Sequence, residues 1–198
     1  MRLSAEQQAW VADSSLRGPD FPAPEQPAPR LIVVGAVPLA AALAALARSA
    51  GWRPFVVDPR PRHATRERFP GAEDVIVAWP QQAVEALGGI DAQTAVAVLA
   101  HDPVLDDPAL IIALRSPAAY VGAMGSRRTQ AVRRERLEQA GLTEAELDRL
   151  SGPAGLDLGA RTAQETAVSI LAEMVAARHG HDGGRLSRAG GPIHAVSP

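Results

Sequence analysis

Five short apolar runs, each followed by a turn and then a helical pattern, constrain this chain more than any other feature. The runs are Leu31-Ile32-Val33-Val34-Gly35, Phe55-Val56-Val57-Asp58, Asp74 to Trp79, Thr94 to Ala100 and Ala118 to Met124. The first is a continuous apolar run rather than an alternating one, as expected of a parallel strand covered on both faces. Between the runs lie segments suited to helices. Pro38 fits the first turn of one, where its missing N–H costs nothing, and Gly51 fits the position just past its end near Ala50. Short helices are predicted over Arg62–Phe69 and Gln81–Leu87, the second ended by Gly88-Gly89. Another is predicted after Pro108, to about Arg115, and a charged helical pattern runs from Arg127 to about Ala140. Such alternation implies right-handed crossovers and helices on both faces of one sheet. The predicted fold is α/β, a doubly wound, mostly parallel, five-stranded sheet of order 3-2-1-4-5.

The remainder is helical or irregular. Thr143-Glu144-Ala145-Glu146 and Thr162-Ala163-Gln164-Glu165 both fit the capping box, in which a threonine and a glutamate three residues on satisfy each other's backbone N–H. The second opens a last helix to about Arg178, with Ala167, Ile170, Leu171 and Met174 on one core-facing stripe. Ahead of the first run, after a short helical stretch at Ser4–Val11, the prolines between Pro19 and Pro29 forbid a helix or a central strand. The expected organisation is a Pro-rich arm over 1–30, one domain over 31–180 and a flexible tail over 181–198.

Composition removes several classes of function. A chain of 198 residues supports one domain with a full core. A net charge of −2 gives no reason to expect nucleic acid as a partner. Every basic residue is arginine, which excludes a Schiff-base lysine and a lysine-bearing phosphate loop. There is no cysteine, so disulfides, thiolate metal sites and thiol nucleophiles are absent. Leu31 to Ala47 carries no charge, but its alanine content, Gly35 and Pro38 fit a strand and a buried helix better than a membrane span. The N-terminus lacks a basic start followed by an apolar core, so a cytoplasmic location and no membrane association are expected. No metal site is expected, because His63, His179, His181 and His194 show no ligand spacing. No catalytic residue is assigned, because Gly125-Ser126-Arg127 does not match a nucleophile elbow.

In a doubly wound sheet, ligands bind beyond the carboxyl ends of the strands, where strand order reverses. Three loops converge there: Gly35-Ala36-Val37, His101-Asp102-Pro103 and Gly122 to Ser126. Asp58 ends the second strand on the same edge. Gly122 and Gly125 leave room for close backbone approach, and Ser126 is placed to cap the helix that follows. Arg127 and Arg128 add two forked guanidiniums suited to phosphate or carboxylate. These residues fit an anion site; they fit equally a tight turn with solvated arginines. Gly35 with Asp58 has the spacing of a dinucleotide-binding pair, but Val37 and Pro38 occupy positions where that motif needs glycine and a free N–H. His101 suits either a general acid/base role or a loop contact beside an aspartate turn. Arg161 precedes a second helix N-terminus after the loop Gly155 to Ala160.

Taken together, Tyr120-Val121-Gly122-Ala123-Met124-Gly125-Ser126-Arg127-Arg128, Gly155-Leu156-Asp157-Leu158-Gly159-Ala160-Arg161-Thr162 and Ala167 to Glu173 resemble the XdhC/CoxI family. The His101-Asp102-Pro103 loop with Asp106-Asp107-Pro108 fits as well. The resemblance covers roughly residues 30–180, the Rossmann-like part of that family. It implies a maturation factor that binds the molybdenum cofactor, favours its sulfurated form and hands it to a molybdenum hydroxylase such as xanthine dehydrogenase or carbon monoxide dehydrogenase. The implied protein is a non-catalytic cofactor-binding chaperone, with the apoenzyme and an anionic pterin as partners and a homodimer as a further expectation. The alternatives are an NAD(P)-dependent oxidoreductase and an interaction subunit without a small ligand. Carried over by position, the contact residues are Gly122, Gly125, Ser126, Arg127 and Arg128, then His101, Asp102, Asp157 and Arg161, with Gly35 and Asp58 at the first loop. That first loop, Gly35-Ala36-Val37-Pro38, departs from the G-A-G-H-like sequence usual in the family.

Overall fold

A computed structural model describes residues 27–190. Residues 1–26 of the arm, with the helix expected at Ser4–Val11, and the last eight residues of the tail lie outside the described residues. Six parallel strands form one sheet of order β3-β2-β1-β4-β5-β6. These are β1 (Arg30–Val34), β2 (Arg53–Val57), β3 (Asp74–Ile76), β4 (Thr94–Val98), β5 (Tyr120–Ala123) and β6 (Leu150–Ser151). Helices α1 (Pro38–Ser49), α2 (Pro80–Ala86), α3 (Pro103–Leu114) and α4 (Arg127–Gln139) connect them, and α5 (Glu144–Leu147) and α6 (Ala163–Arg178) follow.

The central strands explain why the apolar runs are continuous. Leu31 and Val33 point to the face covered by α1 and α6, packing with Leu43, Phe69, Ile170 and Met174. Ile32 and Val34 point to the other face, with Leu110, Leu114, Val121 and Leu137. A strand alternates its side chains between faces, so a sheet covered on both sides needs apolar residues at every position. Val34 stands opposite Val57 on one side and Val98 on the other, and Val98 opposite Ala123. The carboxyl ends of β2, β1, β4 and β5 are thereby level, and their loops leave from one edge.

Three expectations need correction. The sheet has six strands, not five. Leu150–Ser151 adds to β5 opposite Val121 and Gly122, after Arg149 anchors the chain by donating to the carbonyls of Leu114, Ser116 and Ala118. Helix α3 begins at Pro103 rather than after Pro108. Pro103 occupies the first turn, Asp102 caps it, and Pro108 removes one hydrogen bond, to the carbonyl of the exposed Val104. Finally, the helix expected over Arg62–Phe69 is a single 3₁₀ turn at Arg66–Arg68.

Candidate functional site

The first loop at the carboxyl edge is closed by the protein itself. Gly35 takes φ 108°, and a Cβ there would lie 2.7 Å from the backbone nitrogen of Ala100, so this turn passes against the end of β4. Asp58 is fully buried, and all its acceptor directions point at protein. Its Oδ2 accepts from the Ala36 N–H at 2.8 Å and Arg60 Nη2 at 2.7 Å; its Oδ1 accepts from the Arg60 N–H and Nε. Burial works to raise the carboxyl's pKa, but the Arg60 and backbone hydrogen bonds outweigh it and hold it below the ordinary value. Asp58 is therefore a strut between the β1 and β2 loops, not an acid presented to a ribose.

The second loop likewise uses its own carboxylate. Asp102 accepts from the Val104 N–H at 3.0 Å and caps α3. His101 beside it is exposed and takes φ 61°, the only described non-glycine residue with positive φ. Histidine tolerates this region better than most side chains. The last helix is closed in the same way. Glu165 Oε2 accepts from the N–H groups of Arg161 and Thr162, and Thr162 Oγ1 accepts from the Glu165 N–H. The backbone N–H of Arg161, and then that of Thr162, hold the Glu165 carboxyl below its ordinary pKa.

The third loop differs. Ser126 caps α4 as expected, its Oγ accepting from the Thr129 N–H at 3.1 Å, but a hydroxyl is neutral. Among the described residues, the N–H groups of Gly125, Ser126, Arg127 and Arg128 have no protein acceptor. The α4 N-terminus thus keeps its positive dipole end uncompensated, with orphan donors facing outward. Gly125 takes φ 141°, where L residues are strained. Gly122 plays another part: a Cβ there would collide with the Tyr120 ring, so its missing side chain makes room for that buried phenol.

The arginines sharpen the contrast. Among the described residues, the guanidiniums of Arg62, Arg127, Arg128 and Arg161 have no ion-pair or hydrogen-bond partner in the protein. Every other arginine between Arg30 and Arg178 has one, such as Arg136, whose two nitrogens grip Asp107 at 2.6 and 2.9 Å. Arg127 and Arg128 are exposed on the first turn of α4, and Arg161 immediately precedes α6. Arg62 lies in the loop leaving β2. Gln164 and Glu165 share an apolar groove with Pro38 and Ala41, which sets the start of α6 beside the start of α1 at the same edge. Asp157 is exposed in the Leu156–Ala160 loop nearby.

Sequence reasoning missed what supports these loops. Tyr120 donates its hydroxyl to Glu173, which also accepts from the Gly155 N–H at 2.7 Å. Burial first, then the Glu173 carboxylate, push the phenol's pKa well above the ordinary value, so it stays a donor. Beneath the third loop, Arg133 and Asp106 are buried at 2% and 1% exposure. Nothing in the strongly polar α4 sequence marks one arginine among its neighbours as buried. Among the described residues, no cluster of three or more His, Asp or Glu is arranged to hold a metal ion, and no helix is long and apolar enough to cross a membrane.

Comparison with known proteins places this arrangement. The chain is 33% identical over 153 residues to a protein of Bacillus subtilis (strain 168) named as a probable xanthine dehydrogenase subunit, covering 77% of this chain and 44% of that one. It is 30% identical over 153 residues to the molybdenum cofactor insertion chaperone PaoD of Escherichia coli (strain K12), covering 77% and 41%. A crystal structure described as a xanthine dehydrogenase from Bacillus halodurans superposes with a TM-score of 0.68 at 27% identity, over 83% of this chain and 46% of that one. The chain thus spans less than half the length of these relatives. Residues 31–174, from β1 into α6, match the XdhC Rossmann domain, and the chain belongs to that family.

Proposed function

We propose that the carboxyl edge of the sheet binds the molybdenum cofactor as cargo, for insertion into a molybdenum hydroxylase of the xanthine dehydrogenase kind. One observation carries the reading. Of the helices that start beside the strand-order reversal, α3 and α6 have a carboxylate of the protein on the N–H groups at their start, α1 has Asp58 on the Ala36 N–H just ahead of its first turn, and α4 has none. An anionic pterin bearing a phosphate supplies the missing negative charge. The N–H groups of Gly125 to Arg128 donate to phosphate oxygens, and Arg127 and Arg128 flank them. Arg161 adds charge from the neighbouring helix start, and Gly122 acts by seating Tyr120 under the loop. His101, Asp102 and Asp157 line the approach. The role is that of a chaperone rather than a catalyst.

The relatives' names support the cargo and the class of client. A nicotinamide dinucleotide has less support, because Gly35 and Asp58 are engaged with Ala100, Ala36 and Arg60. The test is titration of purified protein with molybdopterin, read by pterin fluorescence and by native mass spectrometry, which also reports whether the protein is a homodimer. Saturable binding is expected, weakened at least tenfold in Arg127→Ala/Arg128→Ala, since charge-assisted hydrogen bonds contribute about 1.5–3 kcal/mol each. Equal binding in wild type and double variant would overturn the site.

A further inference from the structure

The buried charges beneath the third loop have no part in the binding contacts, and their connections say what they do. Arg133 projects from the second turn of α4. Its Nη2 donates to Asp106 Oδ2 on α3 at 3.1 Å, and its Nη1 donates to Gln130 Oε1 at 2.6 Å and to the Met124 carbonyl at 3.0 Å. Gln130 in turn donates through Nε2 to the Ala123 carbonyl at 3.0 Å, which also accepts from the Ala154 N–H. Both carbonyls preceding Gly125 are thereby held from below. Asp106 lies on the first turns of α3, its own N–H bonded to the carbonyl of Asp102, so the chain of contacts begins at the second loop.

Stability alone does not account for this pair. Removing two charges from water costs several kcal/mol each, and well-packed apolar residues often serve as well or better. Here the geometry is also incomplete: Asp106 Oδ1 and Arg133 Nε are buried without a partner. Burial pushes the Asp106 carboxyl above its ordinary pKa, with Arg133 offsetting only part of that. The outer pair, Asp107 with Arg136, already ties α3 to α4 with two short hydrogen bonds. What the inner pair adds is its reach to the loop.

We infer that Arg133, held by Asp106 and relayed through Gln130, is a positioning residue that fixes the Ala123–Ser126 loop in the form that turns its free N–H groups outward. As a statement about the binding site this rests on the reading above, but its first test needs no ligand. Hydrogen exchange would be followed at the Met124, Thr129 and Gln130 amides, which bond to the Val98 carbonyl, Ser126 Oγ and the Ser126 carbonyl. In Asp106→Leu/Arg133→Met, apolar replacement removes the charges together. Exchange at these three amides should rise on the order of tenfold while the urea midpoint stays near wild type. Arg136→Ala, which breaks only the outer pair, should leave the three amides unchanged. If the double variant fails to fold, Gln130→Leu serves in its place, because it cuts the relay to Ala123 and leaves the ion pair intact. Wild-type exchange in the folded double variant, or in Gln130→Leu, would overturn the inference. So would acceleration in Arg136→Ala as large as in the double variant. Molybdopterin titration of the same proteins separates the two proposals. If wild type does not bind, the cargo reading fails while the exchange result still decides the role of Arg133.

Discussion

Replacing Asp58 with asparagine tests whether this residue is a strut or a ligand. The carboxylate accepts four hydrogen bonds, two from backbone N–H groups and two from the Arg60 guanidinium, in a fully buried position. Asparagine keeps one oxygen. If that oxygen stays with Ala36 and Arg60 Nη2, the new NH₂ faces the Arg60 N–H and Nε, and two bonds are lost. Leaving a buried donor unpaired costs about 1–3 kcal/mol. The Arg60 side chain is 47% exposed and can turn to water, which limits the loss on that side. The expected destabilisation is about 2–3 kcal/mol at pH 7, read from urea unfolding. The pH dependence adds a second signature. The folded-state pKa lies below the ordinary carboxyl value, so the unfolded chain takes up the proton first. The stabilisation is complete above about pH 4 and is lost as pH falls through the lower, folded value. The gap between wild type and Asp58→Asn should therefore narrow below about pH 4. A variant as stable as wild type at pH 7, coupled with loss of dinucleotide binding, would refute the strut and restore the ribose reading.

Two further outcomes follow from the packing. Gly35→Ala should cost about 2–4 kcal/mol, from a left-handed backbone and from a Cβ forced against the Ala100 backbone, whereas Gly51→Ala, with φ 81° and open space, should lose only about 1–2 kcal/mol in urea unfolding. Tyr120→Phe should lose about 1–2 kcal/mol by the same assay, since it removes the hydroxyl donated to Glu173 but leaves that carboxylate the Gly155 N–H.

The strand order was legible because each central strand had to be apolar on both faces, and such runs stand out against alternating ones. The sixth strand was not, because Leu150–Ser151 is too short for a pattern and is held by Arg149 through contacts distant in sequence. Pro108 misled in the usual direction: proline argues for a helix start, but Asp102 and Pro103 supplied a better one five residues earlier. At the candidate site, Ser126 as the cap of α4 followed from the local sequence alone. Which helix starts are already neutralised did not. Asp58 reaches Ala36 across 22 residues, and only the folded sheet brings them together. The role of Gly122 was also hidden, because its missing Cβ serves a ring two residues back on the same strand. Arg133 looked like any other charge on a polar helix until its burial against Asp106 was seen.

The most direct measurement is molybdopterin binding by Ser126→Asp. The substitution gives α4 what α3 and α6 already have, a carboxylate of the protein on the N–H groups at the helix start. Aspartate caps as well as serine, and its charge at the helix start is worth about 0.3–1 kcal/mol, so the thermal midpoint should hold or rise. Pterin affinity should nevertheless fall at least tenfold, because the cargo now meets a negative charge where it needs bare donors. Undiminished affinity in a protein as stable as wild type would contradict the claim that the uncompensated α4 N-terminus is where the anion sits.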